Sequence, residues 1–291
     1  MAAQICKRYK QIINMPQMAL TGLSESWVMK EIGNCHWQML CDDIELKSNE
    51  IFDEFGNRLY PAFVRITVEG NSSLKDFREN DYLDISGTIQ QINSMLYCST
   101  IHLQCDDRSM KCLLTTSFTS RDNESDNTKL TKGVPRARDD SKIDTIADMP
   151  KHVLEIIKYK KSKVKNIALG NHSFDLTDEF IFEHFYNLNP YADINGVGLL
   201  YYAAYPVISD VCELEYFNKT AESAIHWALR SATIARDIIY LGNCNIDDVI
   251  YYHLNSYQMI DDNKVALQSS LYRKSDNAPI AKLFTIKRLI N

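Results

Sequence analysis

The stretch "GLSESWVMKEIGNCHWQMLCDDIE" (22–45) has the pattern of a long amphipathic helix. Its large apolar residues recur mostly at intervals of three and four, which places them on one helical face. They are Leu23, Trp27, Val28, Ile32, Cys35, Met39 and Leu40. Thr21 or Ser24 is expected to cap the helix, and Glu25 suits its electropositive first turn. We therefore predict one long helix that buries a single face.

The period of the pattern changes to two after this helix. Four segments alternate between apolar and polar residues and are typical of successive strands, with turn residues at 93–94 and 106–109. The segments are 60–70, 81–92, 95–105 and 110–120. From residue 121 the chain becomes polar and charged, which indicates a linker, and 149–163 is predicted to hold a short helix within it.

The same plan returns in the second half of the chain. A second helix is predicted from Asn195 to Phe217, with a kink at Pro206. Four strand-like segments follow at 232–244, 247–261, 263–275 and 279–291. We predict an α+β fold, a tandem double hot-dog in which two antiparallel sheets each wrap around a long helix. Its parts are an N-terminal hot-dog domain at 1–120, a polar linker at 121–168 and a C-terminal hot-dog domain at 169–291; a β-rich sandwich with one stray helix per half is the alternative.

Composition disfavours several classes of protein. The formal net charge of −6 disfavours nucleic-acid binding, which usually needs a basic surface. No apolar run reaches 18 residues and the N-terminus lacks an apolar signal segment, so we expect no membrane span and a cytoplasmic location. The eight cysteines form no CxxC motif and the seven histidines are scattered, so reduced thiols and no metal site are expected.

The segment "NPYADINGVGLLYYAAYP" (189–206) places small residues directly before the predicted second helix. A helix start offers unpaired N–H groups and a positive dipole end, and glycine lets a ligand approach them closely. The candidate oxyanion and substrate-positioning residues are Asn195, Gly196, Val197 and Gly198, with Gly22 and Leu23 at the corresponding turn of the first half. The alternative is structural: the glycines allow tight packing, and Asp193 or Asn195 only caps the helix.

Three blocks of the sequence resemble the LnmK-type bifunctional acyltransferase/decarboxylase family of polyketide biosynthesis. The blocks are 15–37, "RLYPAFVRI" (58–66) and 189–206, and the resemblance extends over most of the chain outside the linker. It implies a double hot-dog enzyme that decarboxylates methylmalonyl-CoA and transfers the propionyl group to the phosphopantetheine thiol of an acyl carrier protein. Coenzyme A thioester is then a substrate, and no cofactor is expected to be bound. The family's functional tyrosine corresponds to Tyr60.

Two roles are open for Tyr60. A phenol with its ordinary pKa of about 10 is a poor nucleophile at neutral pH, so an acyl-tyrosine would need activation. As a hydrogen-bond donor to the thioester oxygen or the carboxylate, Tyr60 needs none, and we favour that role. Phe63, Leu199 and Tyr202 are candidates for an apolar lining, although such residues are more often ordinary core.

Further candidates carry weaker signals. His36 and Asp193 are possible acid/base groups, but a histidine within a helix is more often a satisfied core residue. A basic cluster is a candidate for binding phosphates or docking the carrier protein, although a solvated face is the usual explanation. Its members are Lys158, Lys160, Lys161 and Lys163. A homodimer remains possible.

Two other functions compete with decarboxylative transfer. A hot-dog dehydratase or thioesterase would act on carrier-bound or CoA-bound thioesters, and such enzymes usually need a His/Asp or Asp/Glu pair at the helix mouth. Asp193 lies near the predicted second helix, but no histidine accompanies it in sequence. A non-catalytic module that only binds acyl thioesters is the third possibility.

Overall fold

The computed structural model describes residues 5–20, 22–121, 126–136, 148–220 and 223–290. The helices are α1 (Glu25–Ile44), α2 (Lys151–Lys160), α3 (Ala204–Lys219) and α4 (Ala224–Arg230). The strands of the first half are β1 (Ile5–Ile12), β2 (Met18–Ala19), β3 (Gly22–Leu23), β4 (Tyr60–Gly70), β5 (Tyr82–Asn93), β6 (Leu96–Cys105), β7 (Arg108–Arg121) and β8 (Leu130–Lys132). Those of the second half are β9 (Asn166–Leu169), β10 (His172–Asp175), β11 (Phe182–Asn187), β12 (Ser231–Tyr240), β13 (Val249–Asp261), β14 (Lys264–Arg273) and β15 (Ala278–Leu289).

One large antiparallel sheet runs through both halves in the order β1-β5-β6-β7-β4-β12-β15-β14-β13-β11, with β8 added beside β7. The second half repeats the strand order of the first in reverse around the β4–β12 pair. Both of these strands carry a bulge at the same place, between Phe63 and Arg65 in β4 and between Thr233 and Ala235 in β12. The predicted tandem double hot-dog fold is confirmed, and the continuous sheet excludes the sandwich.

Helix α1 forms where the apolar periodicity placed it. Ser24 caps it, since its side chain accepts a hydrogen bond from the Trp27 amide (3.3 Å); Thr21 lies outside the described residues. The helix packs on β5, β6 and β7, and its buried face includes Val28, Ile32 and Met39. Each such side chain contributes about 1.5–3 kcal/mol when fully buried, so this face fixes the helix in the concave sheet.

The second long helix differs from its prediction. Helix α3 begins at Ala204, nine residues after Asn195, and Pro206 lies in its first turn, where proline is tolerated, so its position does not require a kink. The residues before α3 form tight turns instead of helix. The Asn195 side chain accepts backbone hydrogen bonds there, a local arrangement that competes with helix formation.

Part of the segment predicted to be a linker is packed structure. Helix α2 lies within the predicted short helix, and its Val153 and Ile156 are buried against the sheet. Arg65 of β4 binds α2, donating to the His152 carbonyl (2.8 Å) and the Glu155 carboxylate (3.0 Å). Residues 122–125 and 137–147 of the predicted linker lie outside the described residues. The division into two domains stays a prediction.

The described residues provide neither a metal site nor a membrane-spanning helix, and most of their cysteines are buried. Cys35, Cys98, Cys112, Cys212 and Cys244 are buried free thiols, and burial raises the pKa of each. Across the described ranges, no three or more His, Cys, Asp or Glu side chains are grouped to hold a metal ion. No helix in those ranges is both long and apolar enough to cross a membrane.

Candidate active site

A cavity of about 230 Å³ lies where the two halves meet, beside the start of β4 and the end of β12. Its walls come from both halves, from α2 and from the start of α3. They are formed by Pro61, Ala62, Phe63, Val64, Ser117, Thr119, Leu130, Lys132, Lys160, Asn195, Leu199, Leu200, Tyr202, Tyr205, Tyr240, Leu241, Gly242 and Asn243. Phe63, Leu199 and Tyr202, which the sequence suggested as lining residues, are among them. We call this space the seam cavity.

Three tyrosines present their rings to the seam cavity while their hydroxyls point at backbone carbonyls. Tyr202 donates to Met29 (3.1 Å), Tyr205 to Gly242 (2.9 Å) and Tyr240 to Tyr202 (3.0 Å). Burial raises the pKa of all three phenols well above the ordinary value, so they stay protonated. These residues therefore supply apolar wall rather than acid/base groups.

Asn195 lies in the cavity wall, inside a closed turn. Its Oδ1 accepts hydrogen bonds from the amides of Val197 (3.1 Å) and Leu199 (3.0 Å), and its carbonyl accepts one from the Gly198 amide (2.9 Å). The prediction that Val197 and Gly198 offer unpaired helix-start amides is therefore wrong, because the turn uses them. Both Oδ1 bonds orient the carboxamide, whose Nδ2 group is the part of Asn195 suited to bind a ligand.

The glycines of the predicted site segments have different structural roles. Gly198 has a φ of 79°, which suits the turn, whereas a Cβ added at Gly196 would meet no atom within 4 Å. Gly22 and Leu23 do not form a substrate-facing turn, because both are buried in a short ladder with residues 18–19. A Cβ at Gly22 would overlap the Lys75 backbone, so close packing explains this glycine.

Tyr60 and the Asn195 turn meet at the rim of the seam cavity through an arginine. Tyr60 is half-buried and directly precedes the wall residues of β4. The guanidinium carbons of Arg58 and Arg121 lie 5.1 and 5.7 Å from its ring centroid. Arg121 also donates a hydrogen bond to the Val197 carbonyl. Arg121 was not predicted as a site residue, and it lies beside Tyr60 because β7 pairs with β4.

Two lysines add positive charge to the wall of the seam cavity. Lys132 comes from β8 and Lys160 from the end of α2. Removal from water, and then the nearby charge of Lys132, lower the pKa of Lys160. In the described part of the chain, neither amine has a carboxylate within ion-pair distance. All four lysines of the predicted basic cluster are exposed, and of these only Lys160 also lines the cavity; the others are Lys158, Lys161 and Lys163.

His36 and Asp193 are engaged elsewhere. The His36 ring nitrogens contact the hydroxyls of Ser99 (2.7 Å) and Thr116 (2.9 Å), and complete burial lowers its pKa to about 3. A neutral, fully paired imidazole corresponds to the core-histidine alternative. Asp193 is buried and accepts a hydrogen bond from the Tyr186 hydroxyl (3.0 Å), so it stabilises the turns before α3. Neither residue lines the seam cavity.

A second cavity of about 170 Å³ occupies the position equivalent to the seam cavity when β4 and β12 are exchanged. Its walls include Glu25, Thr233, Asp210, Glu213 and Lys287. Lys287 lies 3.1 Å from the Asp210 carboxylate and 2.6 Å from that of Glu213, so its charge is compensated within the protein. The seam cavity has apolar walls, and its lysines have no carboxylate partner among the residues that the structure describes, so it is the better candidate site.

Comparison with known proteins identifies the architecture. No protein-family model and no curated protein matches the sequence. A Lactobacillus plantarum protein provisionally named an oleoyl thioesterase superposes with a TM-score of 0.67 at 11% identity, covering 100% of this chain and 98% of the other. An acyl-ACP thioesterase from Bacteroides thetaiotaomicron gives 0.60 at 10% identity (97% and 98% covered). The 12:0-ACP thioesterase from Umbellularia californica gives 0.58 at 12% identity (98% and 97%). At these identities the likeness shows the fold alone.

Proposed function

We propose that the protein decarboxylates methylmalonyl-CoA in the seam cavity and transfers the propionyl group to the phosphopantetheine thiol of an acyl carrier protein. The activity is the one implied by the resemblance to the LnmK-type family. The observation that carries it is the size and lining of the seam cavity. Its volume of about 230 Å³ is below the roughly 300–1,000 Å³ of typical ligand pockets, and its walls are mostly apolar. Such a space suits a short acyl group.

Decarboxylation needs an oriented substrate more than it needs a base. The bond between the carboxylate carbon and the α-carbon breaks, CO₂ leaves, and the electron pair enters the thioester carbonyl to form an enolate. Protonation of the α-carbon then gives propionyl-CoA. Donors fixed near the thioester oxygen stabilise the negative charge that develops there. The proposed site therefore needs an apolar wall around the carboxylate and a hydrogen-bond donor at the oxygen.

Asn195 and Tyr60 are the proposed donors. The Asn195 Nδ2 group is oriented by the two backbone bonds to its Oδ1, so its direction is fixed before the substrate arrives. Tyr60 directly precedes the wall residues of β4, and its ring lies beside Arg58 and Arg121. We propose that Tyr60 donates to the thioester oxygen or protonates the enolate carbon, and that it does not become acylated.

Transfer completes the proposed reaction. The thiolate of the carrier's phosphopantetheine group attacks the propionyl carbonyl, a tetrahedral oxyanion forms, and coenzyme A leaves as its thiolate. The donors that stabilise the enolate oxygen can also stabilise this oxyanion, since both charges develop on the same atom. Lys132 and Lys160 place positive charge where the anionic arm of coenzyme A would leave the cavity.

Thioester hydrolysis is the second candidate function. It is suggested by the three whole-chain structural neighbours, whose names identify them as thioesterases. Hydrolysis requires a group that activates water, and general bases are most often His, Asp or Glu. Among the described residues, the wall of the seam cavity contains none of these. We therefore place decarboxylative transfer first.

One incubation separates the candidates. The protein is mixed with a phosphopantetheinylated carrier protein and methylmalonyl-CoA, malonyl-CoA or dodecanoyl-CoA, and the carrier and the small products are analysed by mass spectrometry. The proposal predicts a propionyl adduct on the carrier and CO₂ release from methylmalonyl-CoA, with little turnover of the dodecanoyl thioester. Free dodecanoic acid would favour hydrolysis. Thioester binding without any product would indicate a non-catalytic module.

A further inference from the structure

A groove lined in part by the end of α2 adjoins the seam cavity. The groove has a volume of about 620 Å³ and shares Lys160 and Leu241 with the seam cavity. Its other wall residues come from the chain after α2, from the segment after β10 and from β15. They are Tyr159, Ser162, Val164, Leu176, Thr177, Asp178 and Lys282. A ligand whose acyl end occupies the cavity would therefore leave it along this groove.

Helix α2 is fixed firmly enough to shape a binding surface. Arg65, which is 3% exposed, donates to the His152 carbonyl and the Glu155 carboxylate of α2 while its other nitrogens bind Asp237. Ile156 is buried in a cluster with residues of β9, β10, β12, β14 and β15. The helix thus joins β4 of one half to the core of the other, and the groove beside its end is part of the folded structure.

The charge at the junction of cavity and groove is positive. Lys160 faces Lys132, and the pKa of Lys160 is lowered partly by that neighbour. Lys282 is compensated, because its amine binds the Asp178 carboxylate (2.7 Å). Lys161 and Lys163 are exposed and extend the positive surface past the end of α2. An anionic, elongated ligand complements this arrangement.

We propose that the groove binds the phosphopantetheine arm of coenzyme A, with Lys160 and the adjoining lysines contacting its phosphate groups. This assignment rests on the proposed function, which places the acyl end of the same molecule in the seam cavity. With this assignment, α2 takes part in substrate binding and is more than a spacer between the halves. The phosphopantetheine group of a carrier protein has the same chemistry with fewer phosphates, so the test compares the two sources.

Calorimetric titration of wild-type protein with coenzyme A and with pantetheine tests the assignment. A hydrogen-bonded charge contributes about 1.5–3 kcal/mol, so Lys160→Gln is expected to weaken coenzyme A binding by roughly tenfold or more. Pantetheine lacks the phosphates, and its binding should be the same in both proteins. Lys151→Gln is the matched control, since Lys151 is exposed at the opposite end of α2. Val164→Trp, which narrows the groove, should weaken binding of both ligands.

Unchanged coenzyme A binding in Lys160→Gln would overturn the assignment, and so would an equal loss for pantetheine. Repeating the titration with holo-carrier protein distinguishes the source: a loss confined to the carrier would overturn the assignment to coenzyme A. The outcomes remain separate from the proposed function. Wild-type protein that binds coenzyme A through Lys160 but never acylates the carrier would support the groove and contradict the function. Wild-type turnover in a folded Val164→Trp variant would contradict the groove alone.

Discussion

Tyr202, two residues before α3, rests on Gly33 of α1, so a wall of the seam cavity is supported by the helix of the other half. The Tyr202 hydroxyl donates to the Met29 carbonyl, and a Cβ at Gly33 would overlap that hydroxyl. Gly33→Ala should therefore displace Tyr202 and cost about 1–3 kcal/mol in the free energy of unfolding. We expect a lower kcat/KM for methylmalonyl-CoA, measured alongside urea unfolding.

Gly196→Ala provides the matched control for this substitution. A Cβ at Gly196 would meet no atom within 4 Å. We therefore expect a free energy of unfolding close to that of wild type and a kcat/KM within about twofold of it. Equal behaviour of the two alanine variants would show that contact between α1 and Tyr202 does not shape the cavity.

The Arg65–Asp237 pair should be a large contributor to the stability of the seam. Its two side chains are 3% and 0% exposed and share hydrogen bonds of 2.9 and 2.6 Å. Asp237→Asn removes the fully buried counter-charge of Arg65 and leaves the partly exposed Glu155 carboxylate as its partner, which is expected to cost about 3–5 kcal/mol in urea unfolding. The exposed pair Lys264–Asp261 is the control, and Asp261→Asn should cost less than about 1 kcal/mol. Similar costs for both variants would contradict the structure of the seam.

His36 should make stability fall as the pH is lowered. Its pKa is about 3 in the folded protein, against about 6.5 in an unfolded chain, so between these values only the unfolded state takes up the proton. Its contribution is complete above pH 6.5 and decreases by about 1.4 kcal/mol per pH unit below it. His36→Gln should therefore be less stable than wild type at pH 7.5, with a difference that shrinks towards pH 5 in urea titrations. A constant difference between His36→Gln and wild type across this pH range would contradict burial of the neutral ring.

Much of the fold could be predicted because strands such as β5 bury alternate residues and so show a period of two. The alternating pattern predicts β4 at 60–70, where the structure has it. The three- and four-residue spacing predicts α1 with its start within three residues of the observed one. β1 and β11 were missed, since both are edge strands of the sheet. The start of α3 was misplaced because the Asn195 side chain closes a turn, an effect that apolar periodicity does not reveal.

The candidate site was only partly predictable. Phe63 and Tyr202 were candidates for an apolar lining, with ordinary core as the favoured alternative, and both line the cavity. Lys132 and Arg121 were not foreseen. Lys132 reaches the cavity wall, and Arg121 reaches Tyr60 beside it, because β7 pairs with β4 and β8. Pairing between strands that are distant in the sequence cannot be read from local spacing. The role of Tyr60 stays a prediction.

Tyr60→Phe tests the central claim most directly. The variant removes the hydroxyl of a residue that directly precedes the cavity wall and keeps the ring beside Arg58 and Arg121. Tyr191→Phe is the control, since Tyr191 is 97% exposed. The measurement is the mass of the carrier protein after incubation with methylmalonyl-CoA. We predict a propionyl adduct with wild type and Tyr191→Phe and none with a folded Tyr60→Phe; the same adduct at the same rate in all three proteins would contradict the account.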